Sequence, residues 1–159
     1  MIKVLFKEPT DLIGRIILKI TGGSYSHCEI LIDGDVYSAD ERGVYCELCA
    51  DTTYLSRFTE LDLTHCIEKY SLDIDAAAQF LNKQVGKKYD WLNMFFSKLF
   101  PFNADKKNRW ICSELVTAAL QKARLPVTNR PKDVTPRRLY DVLMEWFAKD
   151  NGQQPVKER

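Results

Sequence analysis

Asp33-Gly34 is the signal that most restricts what this chain can build. An Asp-Gly pair suits a two-residue hairpin turn, and such a turn sets two strands antiparallel in a fixed register. The flanks fit that reading. Tyr25 to Ile32 reads as one strand and Asp35 to Asp40 as its partner, so Ile32 should pair with Asp35. Counting outward, Glu29 comes opposite Ser38 and His27 opposite Asp40. Side chains alternate along a strand, so His27, Glu29, Ser38 and Asp40 share one sheet face. Polar groups on one face of an otherwise apolar hairpin have two explanations. They face solvent, or they orient the imidazole.

The rest of the chain supplies more strands and a set of helices. Ile2 to Phe6 and Gly43 to Cys49 read as strands. Pro9-Thr10-Asp11 caps a helix whose apolar face is Leu12, Ile13, Ile16, Ile17 and Ile20. Residues 50 to 60 read as loop with a helical turn, and Leu63 to Tyr70 as a further strand. Asp73 caps a helix running through Val85 and closed by Gly86. Trp91 to Phe100 reads as a short apolar helix stopped by Pro101, and Asn103 to Arg109 as a polar loop. Apolar residues recur at helical spacing from Ser113 to Arg124, before Pro126. Thr135-Pro136 opens a last helix with Leu139, Val142, Leu143, Trp146 and Phe147 on its buried face. The expectation is one α+β domain over residues 1–148, a small antiparallel sheet packed on a cysteine-bearing helix. Residues 149–159 read as a disordered tail.

Composition narrows the class without naming a function. With 159 residues, one domain is the natural prior. A net charge of +1 gives no argument for nucleic acid. Five cysteines, an odd number at irregular spacing, suggest no disulfide framework, so reduced thiols in the cytoplasm are expected. The first twelve residues carry Glu8 and Asp11 and no long apolar run, so no secretory signal is expected. Nor does any stretch approach the ~20 apolar residues of a membrane span.

Cys112 holds the strongest chemical signal. It opens the helix that follows Trp110-Ile111, with Glu114 in the first turn and Lys122 and Arg124 in the last. A thiol at a helix N-terminus meets unpaired N–H groups and the positive dipole end, which favour thiolate. The plainer alternative is a buried cysteine acting as a small hydrophobe. A thiolate nucleophile needs a histidine partner, and the chain has only His27 and His65. His65 has no evident partner in its own segment, whereas His27 heads the hairpin. Cys46-x-x-Cys49 with His65-Cys66 is a candidate zinc set, but strand alternation turns Cys46 and Cys49 apart and the second pair is adjacent. Ordinary buried thiols are expected there, and no metal or other cofactor is called for.

Several of these pieces, in this order, resemble one family. They are Ser26-His27-Cys28-Glu29-Ile30, Asp33-Gly34, Tyr37-Ser38-Ala39, Gly86-Lys87-Lys88-Tyr89-Asp90-Trp91 and Ile111-Cys112-Ser113-Glu114-Leu115, with Thr135-Pro136 at the closing helix. Together they look like the circularly permuted NlpC-type thiol hydrolases. This branch includes the YiiX-like and lecithin:retinol acyltransferase-like proteins, in which His precedes Cys on a papain-like fold. Tyr37 to Val44 further looks like uncharacterised bacteriophage members, and the likeness spans about residues 10 to 140. It implies Cys112 as nucleophile, His27 as base and Tyr89 near the oxyanion. A polar residue on the partner strand would orient the histidine, with Ser38 at the matching position and Asp40 the geometric rival. The chain departs from the pattern at Leu92-Asn93, where relatives carry Gly-Gly, and at Ile111, often Asp in the unpermuted branch.

The implied chemistry is attack of the Cys112 thiolate on an amide, ester or thioester, through an acyl-cysteine intermediate. The Cys112 N–H and the Tyr89 hydroxyl would steady the oxyanion. Peptide, peptidoglycan stem and lipid-like acyl groups all remain open as substrates. The aromatic stretch Trp91, Phe95, Phe96, Leu99, Phe100 and Phe102 reads first as core, and second as an apolar lip or membrane-surface contact. The competing class is a catalytically silent binding module on the same scaffold.

Overall fold

The computed structural model describes residues 1–10, 12–48, 52–90, 108–127, 131 and 134–150. At the predicted turn, Asp33 and Gly34 take φ angles of 49° and 99°, the left-handed pair that a primed hairpin turn requires. Strand β2 (His27–Ile32) therefore pairs antiparallel with β3 (Asp35–Asp40) in the expected register, Ile32 opposite Asp35. The paired ladder runs only as far as Ile30 opposite Tyr37.

Strand β3 continues into β4 (Gly43–Leu48), and β1 (Ile2–Lys7) lies along the other edge of β2, with Lys7 opposite His27. The sheet closes with β5 (Thr59–Asp62) beside β1, in the order β4-β3-β2-β1-β5, antiparallel throughout. Thus β1 is an interior strand. Nothing local announces that, because its two partners lie far away in the chain.

The strand expected from Leu63 to Tyr70 is corrected. The strand ends at Asp62, and Cys66–Tyr70 forms a short helix, α3. The Asp62 carboxylate accepts a hydrogen bond from the Thr64 N–H at 2.8 Å, which turns the chain out of the sheet, and Cys66 N–H then bonds the Leu63 carbonyl. Alternation at positions 63, 65 and 67 was a coincidence of composition. The helical turn expected between 50 and 60 is α2 (Thr52–Leu55).

Helix α1 spans Leu12–Thr21 and α4 spans Ile74–Asn82, where Asp73 accepts from the Ala76 N–H at 3.0 Å as its cap. Helix α5 is Cys112–Lys122 and α6 is Pro136–Asp150. One sheet face, with Val4, Phe6, Cys28, Ile30 and Tyr37, packs in one apolar core with α4, α5 and α6. Every residue of α5 from Cys112 to Leu120 is buried, so this helix is held on all sides. On the opposite face Leu5, Leu31 and Val36 are covered by Tyr54, Leu55 and Phe58.

One glycine contact positions the site. Gly43, at φ 100°, lies so close to the next layer that a Cβ would meet the Lys87 carbonyl oxygen at 2.5 Å. The Val44 N–H bonds that oxygen, and the Gly86 N–H bonds the Val44 carbonyl, each at 2.8 Å. The segment so held becomes β6 (Lys88–Tyr89), parallel to β7 (Arg109–Trp110). After Ile111, β7 runs directly into Cys112.

The architecture is α+β, with a small antiparallel sheet and several helices. Among the described residues no helix is long and apolar enough to cross a membrane. The tail expected from residue 149 is corrected at its start, since Lys149 and Asp150 still belong to α6. The helix expected at Trp91–Phe100, the aromatic stretch to Phe102, residue Cys49 and residues 151–159 lie outside the described residues.

Candidate active site

Because the β2–β3 ladder stops at Ile30, the start of β2 carries its side chains beyond the last paired rung. His27 is the first residue there. Its Nε2 lies 2.9 Å from Ser38 Oγ and 3.1 Å from Glu29 Oε1. Ser38 is fully buried and Glu29 nearly so. The other Glu29 oxygen accepts a hydrogen bond from the Tyr54 hydroxyl on α2. Burial alone would push the Glu29 carboxyl up. The bond and charge of His27, with donors from Tyr54 and Ser38, overcome that and hold it below its ordinary value. Glu29 is therefore a carboxylate bound to the far side of the imidazole.

With Nε2 turned to Glu29 and Ser38, the other neighbour of the imidazole is Cys112, whose charge is what most raises His27. Cys112 is the first residue of α5, after Ile111 in an extended conformation. No side chain caps this helix start, and the positive end of the helix dipole lies at Cys112. The thiol sits well below the usual cysteine range. The largest cause is a hydrogen bond from the Cys28 side chain; burial opposes it, and the charge and hydrogen bond of His27 add to it. Burial would lower His27, yet the Cys112 sulfur and then Glu29 push it up to about 10. Together these directions describe a thiolate–imidazolium pair at neutral pH.

Tyr89 on β6 faces the same group. Burial first, then the charges of Cys112 and Cys28, push its hydroxyl well above the ordinary range, so it stays protonated as a donor. A cleft of about 320 Å³ reaches this region, and its walls include Ser26, His27, Glu29, Tyr54 and Tyr89. Cys112 is 5% exposed and is not among the lining residues, whereas the His27 side chain is 21% exposed.

The structure thus brings Cys112, His27, Ser38 and Tyr89 to one place. Asp40 is the correction. It was placed opposite His27 by register, but its carboxylate bonds the Arg42 backbone N–H at 2.9 Å and the guanidinium at 2.9 to 3.3 Å. Arg42 also reaches Glu47 at 3.0 Å, so Asp40 belongs to a rim cluster. Past the last paired rung, facing positions no longer guarantee contact.

Sequence reasoning put Glu29 on the right face but gave it no role. Its spacing of two from His27 was the available signal, and its burial under Tyr54 was not legible. Cys28 was missed because it belongs to the opposite face of the strand. The metal-set residues sit apart. Cys46 lies on β4 at one edge of the sheet, while His65 and Cys66 follow β5 at the other. Among the described residues no group of three or more His, Cys, Asp or Glu is placed to hold a metal ion.

Comparison of the chain with protein-family models, with curated proteins and with solved structures finds no match.

Proposed function

We propose that the chain is a cysteine hydrolase or acyltransferase with a circularly permuted papain-like arrangement. The observation that carries this reading is the Cys112–His27–Glu29/Ser38 relay, with the cysteine at a helix start and the imidazole held from behind. The likeness of the His27, Gly86-to-Trp91 and Cys112 segments to NlpC-type thiol hydrolases agrees with it.

In this reading the Cys112 thiolate attacks the carbonyl carbon of an amide, ester or thioester. The C–S bond forms and the carbonyl electrons move to oxygen, where the Cys112 N–H and the Tyr89 hydroxyl receive the charge. His27 gives its Nδ1 proton to the leaving group as the bond to it breaks. Water, or an acyl acceptor, then loses a proton to His27 and attacks the acyl-cysteine, and the sulfur leaves as thiolate. Glu29 and Ser38 hold the ring through both halves and stabilise it while it is charged. Substrates are carbonyl compounds of peptide, peptidoglycan-stem or lipid-like type.

The test is acyl-enzyme trapping with an activated ester, followed by intact mass. A single adduct on Cys112, lost in Cys112→Ala and in His27→Ala, is expected. Adduct formation that ignores both substitutions would overturn the assignment. A silent binding module is the second reading, favoured by the near-complete burial of Cys112 and its absence from the cleft wall. It predicts ligand retention with no adduct on any ester offered.

A further inference from the structure

Strand β1 carries two lysines, Lys3 and Lys7, and their even spacing puts both on one sheet face. Their surroundings differ. Lys3 Nζ lies 2.8 Å from the Glu60 carboxylate on β5. Lys7 is half-buried, and no described residue forms an ion pair with it. The β5 ladder ends with Thr59 opposite Phe6, one rung short of Lys7, so β5 brings it no carboxylate. On its other side Lys7 stands directly opposite His27, where the Ser26 N–H donates to the Lys7 carbonyl at 3.0 Å. Residues opposite each other in an antiparallel pair project from the same face as close neighbours. Lys7 and His27 accordingly both line the cleft of about 320 Å³.

By itself this position is costly. His27 is the charged partner of the thiolate, and a second cation facing it from the next strand repels it. The nearby carboxylates are engaged elsewhere or lie at the rim. Glu29 is held by His27 and Tyr54, and Asp40 and Glu47 are held by Arg42. Glu8 and Glu41 are exposed, as is the cation Arg57.

We propose that Lys7 is a specificity-determining residue that binds a carboxylate of the substrate, set close to the carbonyl that Cys112 attacks. This rests on the reading of Cys112 as nucleophile and narrows the substrates to acyl compounds with a single negative charge near the reactive bond. The bound anion offsets the repulsion between Lys7 and His27, so the position is matched when substrate is present. Lys7 acts as a point charge and takes no part in proton transfer. A doubly charged phosphate suits the cleft less well, because Glu8, Glu29 and Glu41 share its walls. A neutral fatty ester has no group for Lys7. Tyr89 lines the same cleft and pairs with Trp110, just before Ile111 and Cys112, so the cleft leads from Lys7 toward the sulfur.

The experiment compares alkylation of Cys112 by iodoacetate, an anion, with alkylation by iodoacetamide, its neutral analogue, followed at that residue by mass spectrometry. In both reactions the thiolate displaces iodide, so the ratio of the two rates reads the charge that the reagent meets on its way in. Lys7→Met should lower the iodoacetate-to-iodoacetamide ratio about fivefold at low ionic strength, and Lys7→Glu should lower it further. Lys7→Arg should keep the ratio near that of the parent chain. In the parent chain, salt near about 1 M should remove most of the preference. An unchanged ratio in Lys7→Met overturns the proposal. So does a parent ratio that ignores salt, a measurement that needs no variant to fold. A Cys112 that neither reagent reaches overturns it as well. In turnover, Lys7→Met should raise KM for mono-p-nitrophenyl succinate, which has a free carboxylate, more than for p-nitrophenyl butyrate; equal changes would remove the carboxylate site. Alkylation needs no turnover, so failure of the hydrolase reading would appear separately, as ester hydrolysis that survives Cys112→Ala.

Discussion

Among the described residues, two cysteine–histidine neighbourhoods stand out, and they are built differently. In the first, Cys112 and His27 come together from a helix start and a strand start far apart in the chain. In the second, Cys66 Sγ lies 3.3 Å from Nε2 of His65, its immediate neighbour in sequence. What differs is the support around each pair. His27 is held by buried Glu29 and Ser38, and Cys112 heads an eleven-residue helix. His65 is exposed and lies beside the Phe147 ring, with 5.6 Å between centroids, and Cys66 opens a helix of five residues. A nucleophile needs an oriented base and a field that favours its anion, and contact between thiol and imidazole supplies neither by itself.

Alanine substitutions test this contrast most severely. Cys112→Ala and His27→Ala should each reduce hydrolysis of an activated ester roughly 1,000-fold or more, and the double variant should be little worse than either. Cys66→Ala and His65→Ala should leave the rate per folded molecule near that of the parent chain. Equal losses from both pairs would erase the distinction.

The next effect concerns what stands behind the imidazole. A hydrogen bond to a charged group is worth about 1.5–3 kcal/mol, which is roughly 10- to 100-fold in rate, so Glu29→Gln should lower kcat by that order with little change in KM. Ser38→Ala should cost about tenfold, at the low end of that range. Asp40→Asn, at the Arg42 cluster, should be nearly neutral. The pH profile gives a sign. Activity requires thiolate and imidazolium together, so it rises as Cys112 deprotonates below the ordinary thiol range. It falls as His27 loses its proton near pH 10. Glu29 helps to hold that proton on, so Glu29→Gln should move the alkaline limb to lower pH. A limb that stays in place would remove Glu29 from the relay.

These rankings show where the sequence was legible. The Asp33-Gly34 turn fixed the register as far as Ile30 opposite Tyr37, because turn chemistry is local. The Cys112 helix was legible for the same reason, since apolar spacing and charge placement are properties of one segment. Register put Ser38 on the His27 face, and the family resemblance put it at the orienting position. What decided between Ser38 and Asp40 was the parting of β2 from β3 and the presence of Arg42, and neither follows from spacing. The interior place of β1 and the Tyr54 contact to Glu29 are long-range packing outcomes. The strand expected from Leu63 failed because an Asp62–Thr64 turn outweighed an alternation pattern.

The smallest loss among the groups behind the imidazole should come from Tyr54. Tyr54 lies on α2, on the opposite sheet face from the core that holds Cys112, and its hydroxyl bonds Glu29. Tyr54→Phe keeps the ring, which packs on Phe58 with centroids 5.2 Å apart, and removes one neutral donor. Glu29 Oε1 retains its contact to His27, so the imidazole stays oriented. The bond is to a carboxylate, but it acts on the imidazole through Glu29, so about 1 kcal/mol should reach the transition state and kcat should fall by roughly fivefold at most. The loss should depend on pH. Tyr54 helps to hold the Glu29 carboxyl low, so without it Glu29 takes up a proton at higher pH. Tyr54→Phe should therefore match the parent chain near the alkaline limb and fall behind it toward acid. No substitution around the His65–Cys66 pair should produce a pH-dependent change in turnover. A Tyr54→Phe profile parallel to the parent chain at every pH would show that Glu29 holds His27 without help from α2.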